Sequence, residues 1–582
     1  MKICIFQSSY EGTDSPLQQL DNCPSQPGLF TSQHEFECRW IHKDKAEQEI
    51  DDAVAEGFDF YFNFLWGTLD DAVAGVSASR YIESLGLPFC GLRSLERSRN
   101  KNDFLNAARL RGAPLVPGVE QFPLFVKPAN GCASQLIDEK SVCRNQEELD
   151  RALRRINEAL YEPRVRRATA LGIENPIEYA RSFDTVGRDS NDIVVQEYIE
   201  GKDYGCVVVQ MGGSCVALTP YVYRMKRLPQ EEQFLTFDLK FDDETHPELL
   251  QKKDDAVLFE RLQKAAMEAF VVSGCKDNNT GCDVDLRVTS NGQVFVIEVN
   301  PQPAQFIPRG TDQDWPIIHS FPGGHAAVIN VFIANHMLRY PEQWGSQERV
   351  ASYYDAVAPT YDEYVRTGDV TVDASLAKLV DKFDYSGTIL DLGCGTGCFG
   401  RIMGQSPKFS QQQTSPCEGS YHLLGCDISP GMLDICRKTG HYHSTHLDSI
   451  EAMLTNLTQS IDHMVSSSAL HLLRPEIFSL VVALMFVHAN KSITLSVDEI
   501  TNAYKANLAR LGIKMFPSFN HLAGMEMFGE PKGWRLVSRE RVFSWVSPKT
   551  GDRIYTTYFR FERAQDASRD IMFRSAELLK LN

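Results

Sequence analysis

The chain has 582 residues, too many for one hydrophobic core, and at roughly 150 residues per folding unit we expect about four units. Hydrophobic residues make up 43% and charged residues 23%, which is an ordinary composition for a globular protein. The formal net charge of -18 argues against a general nucleic-acid-binding protein, because binding to phosphate backbones needs clustered lysine and arginine.

Signals for secretion or membrane insertion are missing from the sequence. The start, Met1–Phe6, turns polar too soon for a signal peptide, and no apolar run reaches the roughly 18 residues of a membrane helix. The 15 cysteines are scattered without metal-type spacing, which favours reduced thiols. The sequence therefore predicts a cytoplasmic protein without a membrane or nucleic-acid partner.

Residues 1–92 alternate between strand-like and helix-like segments, which predicts a small parallel α/β domain. The predicted elements are the strands Lys2–Phe6 and Phe58–Phe64 and the helices Ala46–Glu56 and Asp71–Leu85.

Residues 93–340 predict a second, larger region, and the chain then restarts as a fresh α/β domain at 351–582. The polar stretch 161–190 lacks clear periodicity and is interpreted as an insertion or a mobile segment. Residues 341–350 are the linker, and Gln411–Pro416 is a surface loop. The predicted elements of the larger region are Asn102–Arg111, Glu147–Leu160, Leu258–Ser273 and Gly324–Leu338 as helices, and Pro123–Lys127, Asp192–Ile199, Gly205–Gln210, Asp283–Val288 and Gln293–Val299 as strands.

The segment Phe125–Ser134 is an apolar strand that ends in Lys127 and runs into a loop of small residues. Backbone N–H groups of such a loop can lie against phosphates while the lysine supplies a positive charge. A strand-end lysine before a turn is also commonly a solvated charge, and this alternative stays open.

A second candidate is the extended segment Val194–Asp203, which passes into a glycine-containing turn. Gln196 and the neighbouring backbone can hydrogen-bond an adenine edge, and Asp203 can bind a ribose. A strand that simply ends in an acidic turn explains this segment equally well.

The strongest signal is a hairpin that carries hard oxygen ligands. Asp285 lies on one strand, and Glu298 and Asn300 share one face of the next because they are two residues apart. In antiparallel pairing the three side chains meet, and such ligands suit Mg²⁺ (or Mn²⁺) bridging the phosphates of ATP. A solvated polar face is the alternative, and the flanking valines and isoleucine argue against it.

Taken in their order along the chain, the residues singled out above resemble those of the ATP-grasp superfamily, and within it the D-alanine–D-alanine ligases. The resemblance covers about residues 1–340. The resemblance implies a pre-ATP-grasp α/β domain (1–92) and two α+β subdomains (93–340). It implies that Lys240 and Lys127 are catalytic, because they neutralise charge on the transferred phosphoryl group. The implied metal ligands are Asp285, Glu298 and Asn300, and the implied nucleotide contacts are Lys101, Lys127, Ser134, Gln196, Glu197, Ile199 and Asp203.

The reaction implied by this resemblance joins a carboxylate to an amine. The carboxylate takes the γ-phosphate to become an acyl phosphate, and the amine then displaces phosphate to give an amide. Asp283 stands where the dipeptide ligases keep an arginine, and Gln302–Gln305 replaces their glycine and serine. D-alanine is therefore not the expected substrate. Arg309 is a candidate substitute cation, although a surface role is more common for an arginine in such a loop.

The second half begins with a strand that runs into a glycine-rich turn, Thr388–Gly397. Glycines let the backbone approach a ligand, and the N-terminus of the following helix favours a carboxylate. A second strand, Tyr421–Cys426, is followed by Asp427, whose carboxylate can accept hydrogen bonds from ribose hydroxyls. The two elements together predict a cofactor site, with a purely structural glycine turn as the alternative.

This half resembles the class I S-adenosylmethionine-dependent methyltransferases over about residues 350–565, which implies a Rossmann-like domain. The segments Tyr354–Asp362 and Ile461–Leu473 fit the same resemblance as the preceding helix and the fourth strand. The implied cofactor contacts are Asp391, Gly393, Gly395, Asp427 and Asp448.

In methyl transfer the sulfonium methyl is already electrophilic, so the protein mainly aligns acceptor, methyl carbon and leaving sulfur. A base is needed only when the acceptor arrives protonated. His471 and His488 are candidate bases, although a lone histidine beside leucine is more often structural.

The sequence therefore predicts an α/β and α+β multidomain enzyme with two activities. It would use ATP, Mg²⁺ and S-adenosylmethionine, join a small carboxylate to an amine, and methylate a small molecule. In one alternative the second half binds S-adenosylmethionine or docks a partner without catalysis. In another, the first half phosphorylates a carboxylate without forming an amide.

Overall fold

The computed structural model describes residues 1–13, 18–22, 24–95, 99–131, 134–183, 191–225, 234–236, 239, 245–302, 305–308, 310–345, 347–367, 372–410, 421–513, 517–547, 549–565 and 568–575. The chain divides into two compact units. The first comprises Met1–Gln210, Cys215–Ser320 and Asp570–Met572, and the second comprises Met211–Ser214, Phe321–Arg569 and Phe573–Asn582.

The described residues of the first unit form three sheets. The strands are β1 (Lys2–Ser8), β2 (Glu35–Ile41), β3 (Phe60–Phe64), β4 (Phe89–Gly91), β5 (Leu124–Pro128), β6 (Val142–Cys143), β7 (Ile193–Glu197), β8 (Lys202–Met211), β9 (Ser214–Ala217), β10 (Tyr221–Arg224), β11 (His246–Leu249), β12 (Gly281–Val288) and β13 (Val294–Asn300). The α-helices are Ala46–Ala55, Val76–Ser84, Lys101–Arg111, Gln146–Ala159, Tyr161–Ala170, Pro176–Arg181, Ala256–Ser273 and Asp314–Ser320. Short 3-10 turns are Gln18–Asn22, Pro27–Leu29, Glu139–Ser141 and Cys275–Asn278.

The sheets of the first unit differ in strand direction. The sheet β2-β1-β3-β4 is parallel, as predicted for the first residues. The sheet β6-β5-β7 and the path β11-β10-β8-β12-β13 are antiparallel. Antiparallel pairing places the side chains of β12 and β13 directly opposite each other, which is what the hairpin hypothesis required.

The stretch 161–190 shows no clear periodicity in the sequence, yet most of its described part is helical. Tyr161–Ala170 and Pro176–Arg181 are helices, whereas 184–190 lies outside the described residues. The first of these helices buries Arg164, which is 1% exposed and donates through Nε to Asp192 at 2.9 Å. An apolar period was missing from the sequence because a paired arginine occupies a core position.

The second unit contains one large sheet. Its strands are β14 (Gly387–Leu392), β15 (Tyr421–Asp427), β16 (Ser444–Leu447), β17 (Ile461–Ser466), β18 (Ala489–Asp498), β19 (Trp534–Val546) and β20 (Arg553–Arg563), and a short strand, β21 (Met572–Arg574), follows. Its helices are Gly324–Arg339, Pro341–Trp344, Glu348–Thr367, Val372–Lys382, Cys398–Gln405, Pro407–Ser410, Pro430–Lys438, Ile450–Thr455, Pro475–His488, Asn502–Arg510 and Leu522–Phe528, with a 3-10 turn at Leu470–Leu472.

The order of this sheet is β16-β15-β14-β17-β18-β20-β19. The first five strands are parallel, and β20 runs antiparallel to both of its neighbours. The strand order reverses between β14 and β17, and in such sheets ligands bind in the crevice outside the carboxyl ends at this point. The late strands, which the sequence left untraced, form the β19–β20 hairpin at one edge.

The helix Gly324–Arg339, assigned by sequence to the ligase region, packs in the second unit against Pro475–His488. Asn330 donates through Nδ2 to the Ser479 hydroxyl at 3.0 Å in this contact. The predicted boundaries at 92, 340 and 350 stay a prediction.

No single helix among the described residues has both the length and the apolar character to cross a membrane, although Asp314–Ser320 and Gly324–Arg339 meet that criterion as a bent pair. All twelve cysteines in the described ranges are free thiols.

Candidate active sites in the two units

The β12–β13 hairpin brings the three predicted metal ligands together. Asp285 pairs with Glu298 across the two strands. Asn300 follows Glu298 by two residues and therefore lies on the same face of its strand. Asn300 donates through Nδ2 to Asp285 Oδ2 at 3.1 Å. The amide oxygen of Asn300 is then available as a ligand next to two carboxylates.

Two lysines from outside the hairpin converge on Glu298. Lys101 Nζ lies 3.1 Å from one carboxylate oxygen and Lys127 Nζ lies 3.2 Å from the other. Lys127 lies in β5 and is 2% exposed. Lys101 is the first residue of the helix Lys101–Arg111 and donates to the Gly131 carbonyl at 2.6 Å. Five predicted site residues thus form one cluster, which we call the lysine–carboxylate cluster: Lys101, Lys127, Asp285, Glu298 and Asn300.

Electrostatics keep this cluster charged. Burial acts to raise the pKa of Glu298, but the charges of Lys101 and Lys127 outweigh it and lower the pKa to about 2. Burial lowers the pKa of Lys127, and the Glu298 carboxylate opposes that shift. An ionised glutamate beside an aspartate and an amide oxygen is a donor set that suits a hard divalent cation. In the described part of the chain no three histidine, cysteine or acidic side chains gather as a metal site, so the asparagine is needed to complete the set.

A cavity of about 920 Å³ lies against the lysine–carboxylate cluster, and Lys101, Glu298 and Asn300 line it. Aromatic side chains form part of the cavity wall, and acidic side chains besides Glu298 also line it. The aromatic lining residues are Tyr10, Trp40, Phe64, Trp66, Phe104 and Tyr223, and further acidic ones include Asp21 and Asp312. The cavity is large enough for a nucleotide phosphate group and a small organic substrate.

Gln196 lies on β7 opposite Phe125 of β5. Its side chain is 3% exposed, and no atom of the described residues hydrogen-bonds its Oε1. A buried amide oxygen without a donor costs about 1–3 kcal/mol, so a ligand donor is the natural partner. The predicted adenine contact fits this observation.

The neighbours of Gln196 have protein partners of their own. Glu197 accepts from the Gln121 backbone N–H at 3.2 Å, and Ile199 is half-buried after the end of β7. Asp203 forms an ion pair with Arg287 at 3.1 Å and accepts from the Leu235 N–H at 3.2 Å. Burial raises the pKa of Asp203 and the charge of Arg287 opposes the rise. Their assignment as nucleotide contacts stays a prediction.

Of three further predicted positions, the structure describes only Ser134. Ser134 begins a tight turn with a φ of 57° and accepts a backbone hydrogen bond from Ile137, next to two residues outside the described ranges. Lys240, predicted to approach the terminal phosphate, and Arg309 lie outside the described residues.

Asp283 belongs to an acidic group that sequence reasoning noted only as a departure from the family. It is 1% exposed and accepts from Tyr221 Oη at 3.1 Å and from Gln313 Nε2 at 3.2 Å. Burial and the charges of Asp285 and Asp312 raise the pKa of Asp283 to about 8. The signal in the sequence was the alternation of Asp283 and Asp285, which places both on one face of β12.

In the second unit the glycine-rich turn follows β14. Gly393, Gly395 and Gly397 have positive φ angles of 73°, 53° and 90°. A Cβ on Gly393 would lie 2.4 Å from Ala469 Cβ, so the turn after β17 packs against a bare backbone there. The turn therefore needs glycine both for its dihedral angles and for space.

Asp427 closes β15 and holds this turn by two backbone hydrogen bonds. The Gly395 N–H donates to Oδ2 and the Ser429 N–H donates to Oδ1, each at 2.9 Å. Burial raises the pKa of Asp427, and these N–H donors oppose the rise. A carboxylate has about four lone-pair sites, so Asp427 retains acceptor capacity for ribose hydroxyls.

Asp391 and Asp448 lie on either side of this arrangement. Asp391 is 3% exposed and accepts from Tyr442 Oη at 2.5 Å. Burial raises its pKa to about 7, with the Tyr442 hydrogen bond acting in the opposite direction. The Asp448 backbone N–H donates to the Asp427 carbonyl at 3.1 Å, and its side chain accepts from the Ser449 N–H at 2.9 Å. The structure therefore brings Asp391, Gly393, Gly395, Asp427 and Asp448 to one edge of the sheet.

The two candidate bases occupy opposite ends of the sheet. His488 precedes β18, at its amino end, and lies 2.9 Å through Nε2 from the Leu454 carbonyl oxygen. Burial lowers its pKa to about 4. His471 follows β17, at the carboxyl end where the glycine turn lies, and its Nδ1 is 2.9 Å from Asp498 Oδ2. Only His471 is therefore placed near the predicted cofactor contacts.

Two family models match parts of the chain. Residues 169–305 match the model described as D-ala D-ala ligase C-terminus, and residues 389–489 match the model described as Methyltransferase domain. The first match contains Gln196, Asp203 and the three hairpin ligands, and the second contains the five predicted cofactor contacts. The resemblances predicted from the sequence are confirmed.

Individual relatives cover parts of the chain. A biotin biosynthesis bifunctional protein BioHC of Teredinibacter turnerae is 31% identical over 156 residues, 25% of this chain and 25% of its own length. A D-alanine--D-alanine ligase of Wolinella succinogenes is 26% identical over 260 residues, 42% of this chain and 62% of its own length. The solved structure of the VanG D-Ala:D-Ser ligase from Enterococcus faecalis is 16% identical with a TM-score of 0.37, covering 58% of this chain and 99% of that one.

The chain thus spans less than two thirds of the length of either curated relative. Its fold is multidomain α/β, with an ATP-grasp ligase-like part and a Rossmann-like methyltransferase part. The cofactors that belong to these two enzyme types, ATP with Mg²⁺ and S-adenosylmethionine, agree with the donor sets described above. The chain thus combines a segment that matches the D-ala D-ala ligase C-terminus with a segment that matches a methyltransferase domain.

Proposed function

We propose that the first unit ligates a small carboxylic acid to an amine at the expense of ATP. The observation that carries this proposal is the meeting of Lys101 and Lys127 at Glu298, on the hairpin that also bears Asp285 and Asn300. Bound Mg²⁺ would supply charge neutralisation at the phosphates of ATP, with Asp285, Glu298 and Asn300 as its ligands.

The residues of the cluster have distinct parts in this reaction. Lys127 lies at the end of a buried strand, so its ammonium is fixed in place before the nucleotide binds. A fixed cation stabilises the charge of the transferred phosphoryl group without reorganisation. Gln196 offers an acceptor oxygen for the nucleobase, and Lys101 joins the loop after β5 to Glu298.

The acidic side chains near the cluster support an amine as the second substrate. Asp283 occupies the position of a family arginine, and Asp312 lines the cavity next to Tyr223. Of the described lining residues only Arg99 and Lys101 are cationic, and Lys101 is already held by Glu298. The ammonium group of the second substrate is favoured beside these carboxylates, whereas a further carboxylate on that amine substrate is not.

A direct test incubates the full-length chain with ATP, Mg²⁺ and paired panels of carboxylic acids and amines, half of the amines lacking an α-carboxylate. We expect ADP and a product mass equal to acid plus amine minus water. Hydroxylamine in place of the amine traps an acyl phosphate as a hydroxamate. ADP with a hydroxamate but no amide for any amine would favour phosphorylation alone.

We propose that the second unit transfers a methyl group from S-adenosylmethionine to a small molecule. Support comes from Asp427, which holds the Gly395 turn by its backbone and keeps acceptor capacity for a ribose. Incubation with radiolabelled S-adenosylmethionine and a panel of phenols, amines and carboxylic acids tests the proposal. Tight cofactor binding without any labelled product would favour the non-catalytic alternative. Free thiols at all twelve cysteines of the described ranges support a reducing, cytoplasmic setting for both reactions.

A further inference from the structure

The crevice of the second unit contains a buried carboxylate–imidazole pair that neither family match assigns. Asp498 is the last residue of β18, and its side chain is 4% exposed. One carboxylate oxygen accepts from the Thr556 hydroxyl of β20, and the other lies 2.9 Å from His471 Nδ1. The His471 ring remains 14% exposed, so one side of it is open.

The pair lies at the carboxyl ends of the parallel strands, where the predicted cofactor contacts also lie. His471 follows the carboxyl end of β17, and Asp498 ends β18, so both belong to the edge where the strand order reverses. Ala469, two residues before His471, packs against Gly393 of the cofactor turn. The predicted cofactor contacts lie at the carboxyl ends of β14, β15 and β16. The pair lies beside them, at the carboxyl ends of β17 and β18.

Two tyrosines connect the pair to the cofactor side. Tyr354 and Tyr361 lie on the helix Glu348–Thr367, with ring centroids 6.2 Å apart. Burial raises the pKa of both phenols, and the charges of Asp498 and of Asp427 raise it further. Both carboxylates are therefore close enough to these two phenols to act on their ionisation.

We propose that His471 is the general base of methyl transfer and that Asp498 positions it, so that the acceptor of this enzyme is a group that must lose a proton, a hydroxyl or a protonated amine. This inference rests on the proposed methyl transfer. With Nδ1 turned to Asp498, Nε2 is the nitrogen left to face an acceptor.

The step balances without a further reactant. The acceptor heteroatom attacks the methyl carbon, the carbon–sulfur bond breaks, and its electron pair neutralises the sulfonium. The acceptor proton moves to His471 Nε2, and Asp498 stabilises the imidazolium that forms. A carboxylate or thiolate acceptor carries no such proton and would make the pair unnecessary.

Other titratable groups that bear on this pair are few among the described residues. The His471 backbone carbonyl accepts from the Phe519 N–H at 2.8 Å, and the charge of His471 contributes to the lowered pKa of His521. His521 is engaged with the Leu473 carbonyl at 3.0 Å, so it does not compete for the acceptor. The titratable groups in and around the pair, besides His471, are Tyr354, Tyr361, Asp427, Asp498, Lys505, His521 and Tyr558.

The test compares the full-length chain with His471→Gln, Asp498→Asn and the control His422→Gln, which changes an exposed histidine at the other end of β15. Each is assayed with radiolabelled S-adenosylmethionine and whichever panel phenol, amine or carboxylic acid the unaltered chain methylates. Binding of S-adenosylhomocysteine by calorimetry controls for folding and cofactor affinity.

We expect His471→Gln to lower kcat about 100-fold or more with cofactor affinity within twofold, and His422→Gln to change neither. Asp498→Asn should lower kcat about tenfold with KM and cofactor affinity within twofold, because the pair acts on the proton transfer and not on binding. A purely structural pair would instead change stability, KM and cofactor affinity together. Full activity of His471→Gln, or methylation of carboxylates only, overturns the inference. No labelled product from the unaltered chain overturns the proposed methyl transfer itself.

Discussion

The two candidate sites are held together by different forces. In the first unit, side-chain charges from distant segments meet: Lys101, Lys127 and Glu298 form contacts of 3.1 and 3.2 Å. In the second unit, backbone N–H groups and glycine dihedral angles shape the site around Asp427. A site made of charges is vulnerable to the loss of one charge, whereas a site made of backbone is vulnerable to one added Cβ. The four predictions below test this difference.

The largest effect is expected for Glu298→Gln. The change removes an ionised metal ligand and leaves two lysine ammoniums without their counter-charge, so ADP formation should fall about 1000-fold or more. A coupled ADP assay measures the rate, with the exposed Glu158→Gln as the matched control. S-adenosylmethionine binding should be unchanged, and its simultaneous loss would indicate misfolding rather than a lost ligand.

The second prediction compares two glycines of the same turn. Both Gly393→Ala and Gly395→Ala place a Cβ on a left-handed residue, which costs about 1 kcal/mol. At Gly393 the new Cβ would also lie 2.4 Å from Ala469 Cβ, whereas at Gly395 nothing lies within 4 Å. We expect Gly393→Ala to cost about 2 kcal/mol more in the free energy of unfolding.

Urea unfolding of both variants measures this difference. Equal destabilisation of the two would show that close packing at Gly393 is not what restricts the turn.

The third prediction concerns pH. The pKa of Asp391 is raised from 3.8 to about 7, mainly by burial, so its ionisation destabilises the fold as pH rises from about 4 to 7. Asp391→Asn removes this cost and keeps an acceptor for Tyr442. Relative to the unaltered chain, the variant should gain about 4 kcal/mol in the free energy of unfolding between pH 4 and pH 8.

Unfolding curves at these two pH values provide the measurement. A gain that is the same at both would argue that Asp391 titrates as an ordinary carboxyl.

The smallest effect is expected for Gln196→Leu. Its buried Oε1 lacks a partner, so removing it should leave stability unchanged or raise it by up to about 1 kcal/mol. If the oxygen accepts a hydrogen bond from the nucleobase, KM for ATP should rise about tenfold. Thermal unfolding and ATP kinetics together decide, since a loss of stability with unchanged KM would assign Gln196 a structural role.

The sequence predicted the local elements well where they follow a regular period. Strand and helix positions in the first 92 residues and the hairpin at Asp285 and Glu298 appear within a few residues of the expected bounds. It missed the helices in the stretch 161–190, because the helix Tyr161–Ala170 buries a paired arginine instead of an apolar side chain. The periodicity argument assumes apolar core positions and fails when charges compensate each other in the interior.

The amino-acid sequence by itself determined which groups each site contains. A spacing of two places Glu298 and Asn300 on one strand face, and a glycine turn predicts close backbone approach, because both depend on neighbouring residues only. The tertiary structure alone decided that Lys127 meets Glu298, 171 positions away, and that His471 rather than His488 lies at the cofactor edge. Such contacts depend on the order and direction of strands far apart in the chain, which no local pattern encodes.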